Sequence, residues 1–188
     1  MTGKKVQYRW VDIERISRHL PAALIMAEDA KYCRHWGVDW SAVGIALNEA
    51  DRGRKIRGAS TIPMQTAKNL FLWPGRSYVR KAIEIPMAYA MSALWPKWRM
   101  LEIYMNIVEW GPGIFGAEAA ARHHFKKSAA RLNPSEAALL AAALPSPYTR
   151  RAGRPGPKTR KLARIIRRRM LTAAPWVRCA RKSTAALR

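Results

Sequence analysis

Proline and glycine divide this chain into short segments, and apolar residues recur inside those segments at helical rather than alternating spacing. No convincing alternating strand and no internal repeat interrupts the series. The pattern restricts the chain to an all-α fold. Residues 20–32 read as a first helix, with Leu24, Ile25 and Ala27 leading into the acidic pair Glu28 and Asp29. Pro21 falls in its first turn, where a missing N–H costs little, and Gly37 closes the segment. Further helices are expected at 40–50, capped by Asp39 or Ser41, and from Ser60 or Thr61 to about residue 72. Others follow at 77–95 with a kink at Pro86, at 97–110 and at 115–125. One more opens at Asn133 or Ser135 and runs through 144, and a basic helix spans 159–172. The stretches 51–58 and 150–158 read as loops.

At 188 residues the chain can hold one domain with a real core. Its net charge of +23 is extreme and lopsided, because every acidic residue lies at or before Glu136 while Arg and Lys continue to Arg188. Such a surface attracts polyanions, whether nucleic acid or an anionic lipid face, and composition does not choose between them. Cys33 and Cys179 are too few for a disulfide framework; they can pair in an oxidising compartment, but nothing in the sequence brings them together. No Cys/His spacing suits a metal. No apolar run reaches the ~20 residues that span a bilayer, and the first residues lack the apolar core of a signal peptide.

Three blocks carry the chemistry. The first is Glu28-Asp29-A-K-Tyr32-C-R-His35-W-Gly37. The second, GASTIPMQTAKNLFLWPGRSYVRKAIE at 58–84, gathers Ser60, Thr61, Gln65, Lys68, Asn69, Arg76, Arg80, Lys81 and Glu84. The third is Lys97-W-R-M-Leu101-Glu102-I-Tyr104-M-Asn106. Several cations and a carboxylate on short elements suit a site that grips a diphosphate and a counter-ion. Glu28 and Asp29, adjacent on a helix, diverge by roughly 100° and make a poor face-to-face pair, so a partner must come from elsewhere. Glu84 is the natural choice. The bland reading makes Glu84 an i,i+4 salt bridge with Arg80, and most of the basic residues surface charge. His35 reads as a hydrogen-bonding helix terminator, and Glu102, Tyr104 and Asn106 as structural ties.

In order and spacing these blocks resemble the five-motif signature of the peptidoglycan glycosyltransferases, nearest to the monofunctional biosynthetic transglycosylases of bacterial inner membranes. The resemblance runs from about residue 20 to 148. It implies a lysozyme-like helical domain over 20–149, an N-terminal stub at 1–19, and a basic linker with a C-terminal helix at 150–188 packed on the core. It implies polymerisation of lipid II, with an undecaprenyl-diphosphate-linked glycan chain as donor and inversion at the donor anomeric carbon. Glu28 is then the general base and Glu84 lies by the donor diphosphate, where it helps hold Mg²⁺ or Mn²⁺. Lys68 and Arg76 contact the phosphates. Asp29, Ser60, Thr61, Gln65, Asn69, Arg80 and Lys81 complete the substrate contacts. The implied setting is the periplasmic face of the inner membrane, against an anionic lipid surface and beside other cell-wall synthesis proteins, with no nucleic acid.

The chain departs from the family pattern in places. Pro63, Met64 and a single Gln65 stand where a polar residue and two glutamines are usual. His124 and Lys126 replace Tyr and Gly, Tyr32 replaces Phe, and 51–58 is polar where an apolar membrane-dipping segment is usual. Family members carry an N-terminal membrane anchor, so a trimmed chain, a misplaced start codon and a truncated copy are alternative readings. Other functional readings are a lysozyme-like hydrolase or lytic transglycosylase, an inactive remnant, and a basic nucleic-acid-binding protein.

Overall fold

A computed structural model describes residues 5–54, 59–75, 77–172 and 177–182. Among these, eight α-helices and one small sheet make up the fold, which is mostly helical as the spacing predicts. The helices are α1 (His19–Glu28), α2 (Trp40–Asp51), α3 (Ile62–Phe71), α4 (Tyr78–Leu94), α5 (Lys97–Ile107), α6 (Ala117–Phe125), α7 (Pro134–Ala143) and α8 (Pro157–Leu171). Local chemistry explains most of their starts. Side chains of Asp39, Thr61 and Ser77 accept the N–H of Ala42, Met64 and Arg80. Asn133 and Glu136 close a reciprocal capping box on α7. Pro63 and Pro134 sit in first turns, and α4 runs through Pro86 without ending.

Two helix ends differ from expectation. α1 stops at Glu28 rather than at 32, and the chain turns through a 3-10 segment at Tyr32–Arg34. α5 ends at Ile107 because the next residues become a strand. Strands β1 (Gln7–Tyr8), β2 (Glu109–Gly111) and β3 (Ile114–Phe115) form a sheet in the order β1-β3-β2. β1 is parallel to β3, and β2 is antiparallel to it across the Gly113 turn. Strands of two or three residues leave no period to read in a sequence.

The main core joins Leu20, Leu24 and Ile25 of α1 to Leu101, Tyr104 and Met105 of α5 and Leu140 of α7. Residues ahead of α1 share it: Val11, Ile13 and Ile16 are buried in the same cluster. Asn106 holds this segment by donating to Val11 O and accepting from Val11 N, while Glu102 accepts from Ile13 N. α8 packs on α7 and α1 through Ala163 and Ile166. Val38, Met64 and Ala88 form a smaller core between α3, α4 and the segment before α2. Cys33 and Cys179 form a disulfide across 146 residues of sequence, a pairing no local signal announces.

Candidate active site

α1 delivers Glu28 at its C-terminal end, and α3 delivers Gln65 and Lys68 opposite it. Gln65 Nε2 donates to Glu28 Oε2 at 3.0 Å, and Tyr104 Oη donates to Gln65 Oε1 at 2.8 Å. Tyr104 is fully buried on α5, and burial raises its pKa well above 10, with the charges of Glu28 and Asp29 pushing the same way. It therefore stays a donor, which turns the Gln65 carbonyl towards itself and the amide N–H towards Glu28. Burial also raises the Glu28 pKa; the Gln65 hydrogen bond opposes this, Asp29 adds to it, and Arg150 and Lys68 oppose it. A half-buried carboxylate with a raised pKa is a better proton acceptor than a free one.

Lys68 sits in a mixed field. Burial lowers its pKa first, then the charge of Arg80; Glu84 raises it, Lys81 lowers it, and Glu28 raises it. One lysine thus feels both the candidate base on α1 and the charged cluster on α4. Within that cluster, Glu84 is buried and ion-paired through Oε1 to Arg80 and through Oε2 to Lys81, the latter at 2.9 Å. Arg80 is buried too, its Nε and Nη2 donating to Gly75 O. Lys81 Nζ donates to Ser60 Oγ at 2.8 Å, so the 59–61 turn and α4 close on each other.

Other predicted residues are used internally. Asp29 is buried and leaves the helix in a non-helical conformation. Its Oδ2 accepts the N–H of Ile62 at 2.9 Å and its Oδ1 pairs with His35 Nε2 at 2.8 Å, so the carboxylate ties α1 to α3 instead of facing a substrate. The divergence from Glu28 has a use: neighbouring side chains reach opposite ends of the same helix turn. Thr61 is likewise inward, donating to Gly37 O while capping α3. Asn69 is exposed on α3. Arg76 lies outside the described residues.

Three participants carry roles the sequence reading missed. Tyr104, read as structural, orients Gln65. Arg150 acts on the charge of Glu28 while its Nη1 donates to Ala142 O; no motif singles it out. Lys97 donates to His35 O at 2.6 Å and lies over the Tyr32 ring at 4.6 Å, its pKa lowered to about 8 by burial against the opposing charge of Asp29.

The family resemblance implies that Glu84 helps hold Mg²⁺ or Mn²⁺. Its two oxygens already face Arg80 and Lys81, and among the described residues no three His, Cys, Asp or Glu side chains gather to hold a cation. The donor set does not fit a divalent ion caged by protein.

The sequence model of a family described as Transglycosylase matches residues 1–171. The chain is 52% identical over 171 residues to a biosynthetic peptidoglycan transglycosylase of Agrobacterium fabrum, covering 91% of this chain and 76% of that protein. It is 51% identical over 174 residues to the protein of the same name from Brucella suis, covering 93% and 78%. With that of Rhodospirillum centenum it shares 51% identity over 165 residues, covering 88% and 71%.

Proposed function

The chain belongs to the transglycosylase family, and from that membership we propose that it polymerises lipid II into peptidoglycan glycan strands. The growing strand on undecaprenyl diphosphate is the donor, and a fresh lipid-linked disaccharide–peptide is the acceptor. Glu28 takes the proton of the acceptor 4-hydroxyl as that oxygen attacks the donor anomeric carbon. The bond from that carbon to the diphosphate oxygen breaks with its electrons leaving on the diphosphate, and the configuration inverts. Lys68, with Lys81 beside it, neutralises the charge that develops there. Arg80 and Glu84 hold Lys81 and the α4 end in position. The observation that carries this reading is that α3 sets Gln65 on the Glu28 carboxylate at 3.0 Å and carries Lys68, which feels the charges of Glu28 and of the ion-paired Arg80–Lys81–Glu84 group.

A membrane face accords with the surface. Trp36, Trp40, Ile45 and Leu47 around α2, Phe71 at the end of α3, Trp73 just after it, and Tyr78 and Val79 on α4 are exposed large hydrophobics. They lie on the elements around the second block, and α2 supplies the apolar surface between the first two motifs that the polar 51–58 stretch does not. Within residues 85–95, Ala88 and Met91 are buried in the core, whereas Tyr89 and Leu94 are exposed and join this surface. No helix of the described residues is long and apolar enough to cross a membrane. A disulfide suits the oxidising periplasm, and the inner membrane's periplasmic face is the setting we propose.

The test is to incubate the protein and its Glu28→Gln variant with lipid II and follow glycan polymer and undecaprenyl diphosphate. Polymer from the native protein, reduced on the order of 10²–10⁴-fold in the variant, is the expected result. Clearing of finished cell wall without consumption of lipid II would overturn it.

A further inference from the structure

Away from Glu28 and Lys68, basic side chains line a half-open cleft. A cleft of about 650 Å³ opens between β1, the β2–β3 turn, the end of α6 and the 147–154 loop. Lys5, His123, Lys126, Arg151 and Arg154 line it, and among the described residues no carboxylate does. In a chain of net charge +23 such a grouping needs more than abundance to be a site. Two observations supply it.

The walls are pinned together. His124, also in the lining, accepts the N–H of Gly153 on Nδ1 at 3.3 Å, which leaves Nε2 as the protonated nitrogen donating to Trp110 O at 3.1 Å. One imidazole therefore joins α6, β2 and the 147–154 loop. At Gly153 an added Cβ would stand 2.6 Å from His124 O, so only glycine lets the loop lie this close. Arg151 and Arg154 thus project from a loop whose backbone is held.

The second observation is Lys126. With φ of +58° it is the one non-glycine residue in the left-handed region among the described residues. Glycine adopts that conformation at little cost and a lysine does not. The chain nonetheless puts a cation at this place on the rim of the cleft.

We propose that this cleft binds a phosphate-bearing anion, a phosphomonoester or diphosphate group, carried by a lipid headgroup or by a soluble molecule. Two guanidinium forks can each meet two phosphate oxygens, the two lysines add point charges, and the neighbouring Glu109 carboxylate is already taken by Gly113 N and Tyr148 Oη. The space admits a diphosphate or a headgroup. This site stands apart from the proposed polymerisation and does not depend on it.

The experiment compares charge removed from the cleft with equal charge removed elsewhere. Calorimetry with inorganic pyrophosphate is run in a Lys68→Ala/Lys81→Ala background, which removes the proposed donor-diphosphate grip. It is run on that chain otherwise unchanged, with Arg151→Ala/Arg154→Ala added, and with Arg168→Ala/Arg169→Ala added, whose residues are exposed on α8 and line no cleft among the described residues. The cleft pair is expected to weaken binding about tenfold or more and the α8 pair less than about twofold. Lys126→Gly adds a second readout: affinity falls while Tm rises by about 2–4 °C, because the lost charge and the relieved backbone act separately. Sedimentation with phosphatidylcholine vesicles containing phosphatidylglycerol then distinguishes the source. Cleft-dependent vesicle binding identifies a headgroup, and pyrophosphate binding alone identifies a soluble ligand; either supports the site. Equal losses in the two double variants, or no saturable pyrophosphate binding, overturn it. So does duplex DNA that binds through the cleft and is not displaced by pyrophosphate.

Discussion

Glu28 carries two opposed demands. As a base it must be ionised, yet burial makes the ionised form costly and raises its pKa above the ordinary value of 4.5. A group with a raised pKa binds protons more tightly in the folded chain, so its contribution to stability is present at low pH and lost as pH rises through the folded value. Glu28→Gln removes that cost. The variant is expected to lose polymerisation and yet show a higher Tm than the native chain at neutral pH, with the gap closing as the pH is lowered. Equal melting curves at pH 7 would contradict the buried-base argument. Tyr104→Phe tests the next link. Without the hydroxyl, nothing sets which end of the Gln65 amide faces Glu28, and a Gln carbonyl there repels the carboxylate. About a tenfold fall in kcat is expected, with the acid limb of the pH–rate profile moved to higher pH and KM little changed.

Among elements, α3 matters most for the site, because Gln65 and Lys68 both ride on it. Its first turn is held from two sides: Asp29 accepts from Ile62 N, and Thr61 caps the helix while donating to Gly37 O. A carboxylate at a helix N-terminus is favourable electrostatically as well as through its hydrogen bond. Asp29→Ala leaves a buried N–H and His35 without their acceptor and is expected to cost about 3 kcal/mol in denaturant unfolding, with a loss of activity besides. Asn133→Ala makes the contrast. It deletes the capping box of α7, an element that carries no site residue, and should cost about 1 kcal/mol while leaving specific activity unchanged.

At the scale of the whole molecule, the Cys33–Cys179 bond joins the turn after Glu28 to the C-terminal 3-10 turn at Arg178–Ala180. Closing a loop of 146 residues restricts the unfolded chain strongly, and chain-entropy reasoning puts the effect at roughly 4–5 kcal/mol. Cys33→Ser/Cys179→Ser is expected to lower Tm, and a reductant should lower the native Tm towards the variant's while leaving the variant unmoved. Lys182 meets Glu14 and lies over the Trp98 ring, so the same end of the chain also touches the segment ahead of α1.

Helix positions were legible because their signals are local. Asp39, Thr61, Ser77 and Asn133 cap the backbone a few residues away, and proline and glycine act where they stand. The blocks holding Glu28, Gln65, Lys68 and Glu84 were legible as motifs, since residue type and spacing survive in a linear string. Partnerships were not. Asp29 reads as a substrate contact until Ile62 and His35 are seen to take both its oxygens, and Tyr104 reads as a tie until its hydroxyl is seen on Gln65. The β1–β3 pairing, the pull of Arg150 on Glu28 and the disulfide join residues about a hundred or more positions apart. The sequence alone determined which helices form and which side chains are offered. Only packing decided which of them meet, because burial and hydrogen bonding depend on what the fold brings alongside.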